Sequence, residues 1–243
     1  MDLDCLIIHL ERARDRLPQV EATKAALPLR THVMPAVDGQ SMTKQQASAY
    51  AQRALSPRYP FPLRPSEVAT FHSHRACWQR IINDDMPAAL ILEDDLEIDT
   101  TVFLPALELA NAHVLDGDFV RFPIKWREDT GRDLATSGDI RLSQHDAVAL
   151  GMVAQLVTRG AAEALLTATE RFDRPVDTFL QMTWVHGARI LTAWPSGIRE
   201  VSEQLGGSTI SRQDGLLQKL RREVLRPLYR RRIAAMAKRH PNV

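Results

Sequence analysis

The sequence predicts an α/β protein with a mostly parallel sheet flanked by helices and a basic helical tail, and three observations predict it. Short apolar runs of strand length alternate with longer segments of helical character, beginning with residues 4–10, 11–26 and 31–37. The apolar run at 88–98 stops at three consecutive carboxylates, Glu93, Asp94 and Asp95. The chain is 243 residues long and 44% hydrophobic, enough to bury a substantial core in one large domain.

Taken in order, residues 4–10 (Asp-Cys-Leu-Ile-Ile-His-Leu) read as a buried parallel strand. The helix expected over 11–26 carries Arg12, Arg14 and Arg16 just behind the strand end. There they either reach a phosphate or carboxylate or form a solvated basic face. A second strand over 31–37 closes on the turn dipeptide Asp38-Gly39. Residues 41–64, with Pro57, Pro60 and Pro62, form an irregular excursion of the kind that makes an active-site flap. From Ser66 to Asn83 the pattern is helical, with His72, Ser73 and His74 as a polar cluster on an otherwise core-facing helix.

The acidic triplet follows. Clustered carboxylates at a strand end need counter-charge, which a hard divalent cation shared with a nucleoside diphosphate supplies; the competing reading is a solvated surface turn. A helix is expected over 101–112, a strand over 118–124 that Pro123 places at an edge or ends, and no firm structure over 125–142. A strand over 147–158, a helix over 160–169, a helical start at Pro175-Val176-Asp177 and a strand over 190–194 complete the body.

Lysine plus arginine (31) balances aspartate plus glutamate (30), so no global field argues for nucleic acid as a partner. The charge is unevenly placed: from Arg212 onward there are 10 basic and 2 acidic residues, leaving 21 and 28 before it. Leu217, Leu220, Val224 and Leu228 recur among those arginines at helical spacing, with a kink expected at Pro227. Such a segment either lies on an anionic membrane surface or packs on its own domain. Cys5 and Cys77 form no paired motif, and no signal core or membrane-length apolar run is visible. The expectation is a cytoplasmic protein, soluble or peripheral on the inner face of the cytoplasmic membrane.

Several stretches, in this order, resemble glycosyltransferase family 25, the lipooligosaccharide biosynthesis and collagen galactosyltransferase family. They are Ile7-Ile8-His9-Leu10-Glu11-Arg12 through Arg16; Ala36-Val37-Asp38-Gly39; Glu67, Ser73-His74 and Trp78; and Glu93-Asp94-Asp95. Gly151, Gly160-Ala161, Leu165-Leu166, Pro175-Val176-Asp177, Pro195 and Ser208-Thr209-Ile210 continue the pattern. The chain departs from it at His9, where asparagine is usual, at Ser66, Ala69 and Thr70, which replace Gly, Gly and Cys, and at Gln155, where tyrosine is frequent.

The resemblance implies a GT-A-like fold over 1–211 followed by the 212–243 tail. It also implies a metal-dependent, inverting transfer of a hexose, galactose favoured, from a UDP-sugar to a saccharide acceptor of lipooligosaccharide, lipopolysaccharide or a similar surface glycan. Asp95 is then the ligand of a Mn²⁺ or Mg²⁺ ion. Asp94 shares the metal or reaches the donor, and Glu93 fixes the strand end. His9, Leu10, Arg12, Arg16, Asp38, Glu67, Ser73 and His74 join Glu93 and Asp94 as donor-pocket candidates. Asp177 is the candidate base that removes the acceptor proton; the alternative for it is a helix cap. His186 has no motif around it and is read as a packing residue. Two other functions compete: a non-catalytic sugar-nucleotide-binding or scaffold protein of the same fold, and a metal-dependent phosphohydrolase.

Overall fold

In a computed structural model the chain is described over residues 3–128, 131–201 and 216–240. The first half runs β1 (Asp4–His9), a 3-10 turn (Arg14–Arg16), α1 (Leu17–Ala26), β2 (Arg30–Pro35), α2 (Lys44–Ala49), α3 (Pro65–Asn83), β3 (Ala88–Glu93), β4 (Leu96–Ile98) and α4 (Thr100–His113). The second half runs β5 (Asp118–Arg121), β6 (Gly131–Ser137), β7 (Ile140–His145), β8 (Ala154–Thr158), α5 (Arg159–Ala168), α6 (Val176–Leu180), α7 (Thr183–His186), β9 (Arg189–Trp194), β10 (Ile198–Glu200) and α8 (Leu216–Arg239).

Eight strands form one sheet in the order β2-β1-β3-β8-β5-β9-β7-β6. Six point the same way; β8 and β7 run against them, so the sheet is mostly parallel in direction but mixed in its pairings. The period of two along each strand divides the core between two faces. Leu6, Ile8, Ala89 and Ile91 pack with Phe71 and Trp78 of α3, Leu165 of α5 and Phe179 of α6. Cys5, Ile7, Leu90 and Leu92 pack on the other side with Val20 of α1 and Phe103 and Leu107 of α4. β1 and β3 are therefore apolar over residues 5–8 and 88–92, because both faces are covered. Gln155 on β8 is a fully buried amide with no hydrogen-bond partner among the described residues.

Several expected boundaries move. The helix expected from residue 11 begins as the 3-10 turn, and α1 starts at Leu17 with Pro18 in its first turn, where a missing N–H costs nothing. Residues 41–64 contain α2, capped by Thr43 through a reciprocal pair of bonds with Gln46. β5 ends two residues before Pro123 and lies inside the sheet, so the proline ends the strand. Much of the 125–142 stretch belongs to the β6–β7 hairpin, whose turn holds Gly138 at φ +57°. β8 occupies only the end of the expected 147–158 strand.

The helical tail is present as α8, and it continues through Pro227. Its packed stripe is Tyr229, Ile233 and Ala237, set against Met182 and the neighbouring Tyr59 and Trp184. Val224 and Leu228 are exposed instead, while the side chains of Leu217 and Leu220 and the 211/212 boundary lie outside the described residues. Arg174, fully buried, ties α8 down: its Nε donates to Asp173 Oδ1 (2.6 Å), its Nη1 to the Tyr229 hydroxyl (2.7 Å) and its Nη2 to Pro57 O (2.9 Å).

Candidate active site

The chain leaves β1 for β2 on one side and returns to β3 on the other, so the carboxyl ends of β1 and β3 open a crevice at a topological switch point. A cavity of about 130 Å³ lies there, lined by Leu10, Arg16, Ser73, His74, Glu93, Asp94 and Asp95 among others. Residues 85 apart in sequence meet in it. His9 Nδ1 lies 2.7 Å from Asp94 Oδ2, and Arg16 Nη1 donates to Asp94 Oδ1 at 2.5 Å and stands 3.2 Å from Asp95 Oδ2.

The electrostatics of this strand end are set by burial. Burial alone would lower the Arg16 pKa, but the Asp94 hydrogen bond and the fields of Asp94, Asp95 and Glu93 outweigh it and raise it. Glu93 is pushed up to about 8, first by burial and then by Asp94 and Asp177. Asp95 is pushed up to about 6, by burial and then by Glu93. His74 is forced down to about 4 by burial, so its imidazole is neutral at pH 7. Its Nε2 stands 3.5 Å from Glu93 Oε1, and neither ring nitrogen makes a hydrogen bond.

Burial, with mutual repulsion behind it, makes Glu93 and Asp95 harder to ionise; such a donor set is short of positive charge, and this fits a hard divalent cation. Among the described residues no group of three or more His, Cys, Asp or Glu side chains is placed to hold a metal ion. Glu93 and Asp95 at the end of β3 are the two carboxylates whose charge a Mg²⁺ or Mn²⁺ ion would offset, with water and substrate phosphate supplying the remaining ligands. Asp94 fits a ligand role less well than Asp95, because Arg16 and His9 engage both of its oxygens. Its place is to hold those two side chains.

The other expected donor residues divide. Ser73 lines the crevice, yet its hydroxyl accepts from Val37 N and donates to Ala69 O, both at 2.9 Å, and so fastens α3 to the end of β2. Gly39 serves the same junction: a Cβ there would stand 2.9 Å from the Pro65 and Ser66 backbone. Arg12 and Asp38 pair with each other at 2.7 Å, and neither lines the crevice. That pairing holds the Asp38 carboxyl below its ordinary range. His186 is a packing residue, with Nε2 at 3.1 Å from Leu180 O and Nδ1 accepting from Ala188 N.

A larger cavity of about 450 Å³ adjoins the crevice, and Glu93 and Thr70 line both. Asp177, in the first turn of α6, opens into the larger one, as does Glu67, whose Oε2 also accepts from Arg64 N at the start of α3. Tyr59 and Phe61 come from the proline-bearing excursion and Gln181 from beyond α6, while Arg226, Tyr229 and Arg230 come from α8. Tyr59 and Phe61 lie in the excursion read as an active-site flap, while Gln181, Arg226, Tyr229 and Arg230 were not expected in the site. The i, i+4 spacing of Arg226 and Arg230 was the available signal in the tail.

The sheet order and the carboxylate-bearing strand end at its switch point define a GT-A-like α/β protein. The profile of glycosyltransferase family 25, described as LPS biosynthesis protein, matches residues 3–180, and the chain belongs to that family. It is 28% identical over 182 residues to a "Glycosyltransferase 25 family member" of Drosophila pseudoobscura pseudoobscura, covering 72% of this chain and 29% of the relative. It is 27% identical over 100 residues to "Procollagen galactosyltransferase 1" of Danio rerio, covering 40% and 17% of the two chains. A "Glycosyltransferase 25 family member" of Aedes aegypti is 27% identical over 144 residues, covering 58% and 22%. The chain thus spans less than a third of the length of the curated relatives it matches.

Proposed function

We propose that this chain transfers a hexose, galactose favoured, from a UDP-sugar to a saccharide acceptor with inversion at the anomeric carbon. The observation that carries the reading is the shared wall. Glu93 closes the carboxylate crevice on one side and the larger cavity holding Asp177 on the other, so leaving group and acceptor have separate chambers about one reacting centre. The donor diphosphate occupies the crevice at the ends of β1 and β3. In the larger chamber an acceptor hydroxyl attacks the anomeric carbon as the bond to the diphosphate oxygen breaks, and the Asp177 carboxylate takes its proton. A bound Mn²⁺ or Mg²⁺ would neutralise charge on the departing diphosphate, with Asp95 and Glu93 as its protein ligands. Arg16 and Asp94 keep that strand end in place.

Galactose is favoured by the name of the Danio rerio relative, and a surface-glycan acceptor, lipooligosaccharide or lipopolysaccharide, by the family description. Titrating the protein calorimetrically with UDP-, GDP- and CMP-sugars, with Mn²⁺ and with chelator, tests the donor. Binding of one UDP-sugar that needs the metal and weakens at least tenfold in Asp95→Ala is expected. Failure of every nucleotide sugar to bind would leave a scaffold of the same fold.

Among the described residues no helix is long and apolar enough to cross a membrane. The face of α8 turned away from the domain carries exposed Val224, Leu228, Arg231, Lys238 and Arg239. This pattern supports peripheral attachment to an anionic bilayer, where a glycolipid acceptor resides. Flotation with vesicles containing an anionic lipid is expected to recover the protein, and neutral vesicles are expected to leave it behind; equal recovery with both would remove the membrane role.

A further inference from the structure

The wall that α8 builds bears on the chemistry of the acceptor. We propose that Arg226 and Arg230 form an anion-binding wall of the larger cavity, and that the acceptor is a saccharide carrying a phosphate or carboxylate; the acceptor's identity rests on the sugar-transfer function proposed for this site. Four residues apart, the two arginines share one helix face and both line the cavity. The helix is fixed there by the buried stripe Tyr229, Ile233 and Ala237, by the Arg174–Tyr229 hydrogen bond, and by edge-on packing of the Tyr229 and Tyr59 rings at 5.3 Å. Arg226 lies close enough to the cavity wall for its charge to act on the Tyr59 phenol.

Among the described residues neither guanidinium forms an ion pair, although Glu67, Glu93 and Asp177 line the same cavity. The chamber is therefore bipolar, with carboxylates at the β3, α3 and α6 side and two uncommitted guanidiniums at the α8 side. A neutral sugar can take only hydrogen bonds to its hydroxyls from the second pole, with no charge to match it. An anionic one is held by it through charge-assisted, bidentate contacts and is repelled from the first pole. The acceptor is thereby turned with its anion toward α8 and a hydroxyl toward Asp177. The residues that supply this wall lie beyond the 3–180 match, so the property belongs to this chain and not to the matched unit.

The same chemistry would suit the donor's diphosphate, and the test separates the two sources. Glucose 6-phosphate and glucuronate are titrated against glucose by NMR into the full chain, with and without saturating UDP and Mn²⁺. The Arg226→Gln/Arg230→Gln double variant is treated identically. Both arginines are exposed, so the variant should keep its thermal midpoint. The expected result is at least tenfold tighter binding of the two anionic sugars than of glucose, undiminished by UDP, lost in the variant, with UDP affinity unchanged. Equal binding of all three sugars overturns the proposal. So does loss of UDP affinity in the variant together with displacement of glucose 6-phosphate by UDP, which assigns the arginines to the donor. Failure of nucleotide sugars to bind would instead strike the transfer function and leave the anion wall to be judged on the sugar titrations alone.

Discussion

Asp177→Asn is expected to slow sugar transfer by about 10²–10⁴-fold while leaving donor affinity unchanged. Asparagine matches the carboxylate in shape but cannot accept the acceptor's proton. The surrounding structure has little reason to respond. Among the described residues the only hydrogen bond the Asp177 carboxylate shows is a long one, 3.3 Å from the Thr178 hydroxyl, and the side chain is half-buried at a cavity surface. Single-turnover kinetics with the donor pre-bound isolates the chemical step. A kcat within threefold of the native value would move the base to Glu67 or Glu93, the other carboxylates that line the chamber.

The second large effect is on metal affinity as a function of pH. Glu93 and Asp95 titrate near 8 and near 6 in the free protein, and each must be ionised to hold a cation. Lowering the pH from about 8 to 6 therefore sets protons against metal at Glu93, with a loss of about tenfold in Mn²⁺ affinity per pH unit; below about 6 Asp95 joins and the loss steepens. Calorimetric titrations with Mn²⁺ at several pH values measure the slope, and Glu93→Gln should remove its upper part. Flat affinity across that range would exclude Glu93 as a ligand. Stability of the metal-free protein moves the opposite way. Because the folded pKa of Glu93 lies above its unfolded value, the folded chain holds the extra proton, and stability falls as pH rises toward about 8. The buried His74 and His186, depressed to about 4, act oppositely but are already neutral in both states above about pH 7, so Glu93 is seen there without them.

The parts of the fold that were legible are those in which one segment carries its own instructions. β1, β3 and β9 are short apolar runs buried on both faces, and α3 has a core-facing period with a proline at its start. The β6–β7 hairpin was illegible because β6 lies largely exposed and so shows no clean apolar alternation; Gly138 was its one local mark. In α8 the leucines and valine suggested one stripe, while the domain took another built on Tyr229, Ile233 and Ala237. Tyrosine and alanine weigh little in an apolar count, yet here the hydroxyl of Tyr229 meets the buried Arg174.

For the site, the triplet at β3 and the carboxylate at α6 could be marked from motif order, and the structure brings Glu93 and Asp177 to one cavity. How the triplet divides its work could not be marked, since it depends on which partners arrive from elsewhere in the chain. His9 and Arg16 hold both oxygens of Asp94, Arg16 also stands 3.2 Å from Asp95 Oδ2, and burial with Glu93 nearby still raises Asp95. Likewise the exposed Arg12 is drawn to Asp38, whereas Arg16 reaches inward from the N-terminus of α1.

The partition made by Thr70 and Glu93, together with the wall that α8 contributes, separates two chambers whose linings come largely from different elements. Exchange of a few residues along α8 would reshape the outer chamber and leave the β1 and β3 ends untouched. Arg174 sets the limit on that freedom: a replacement helix must present a hydrogen-bond acceptor where the Tyr229 hydroxyl now sits, or leave one N–H of the buried guanidinium without an acceptor. Changes confined to α8 are accordingly expected to alter one wall of the larger chamber, with one buried latch deciding which new helices can be fitted.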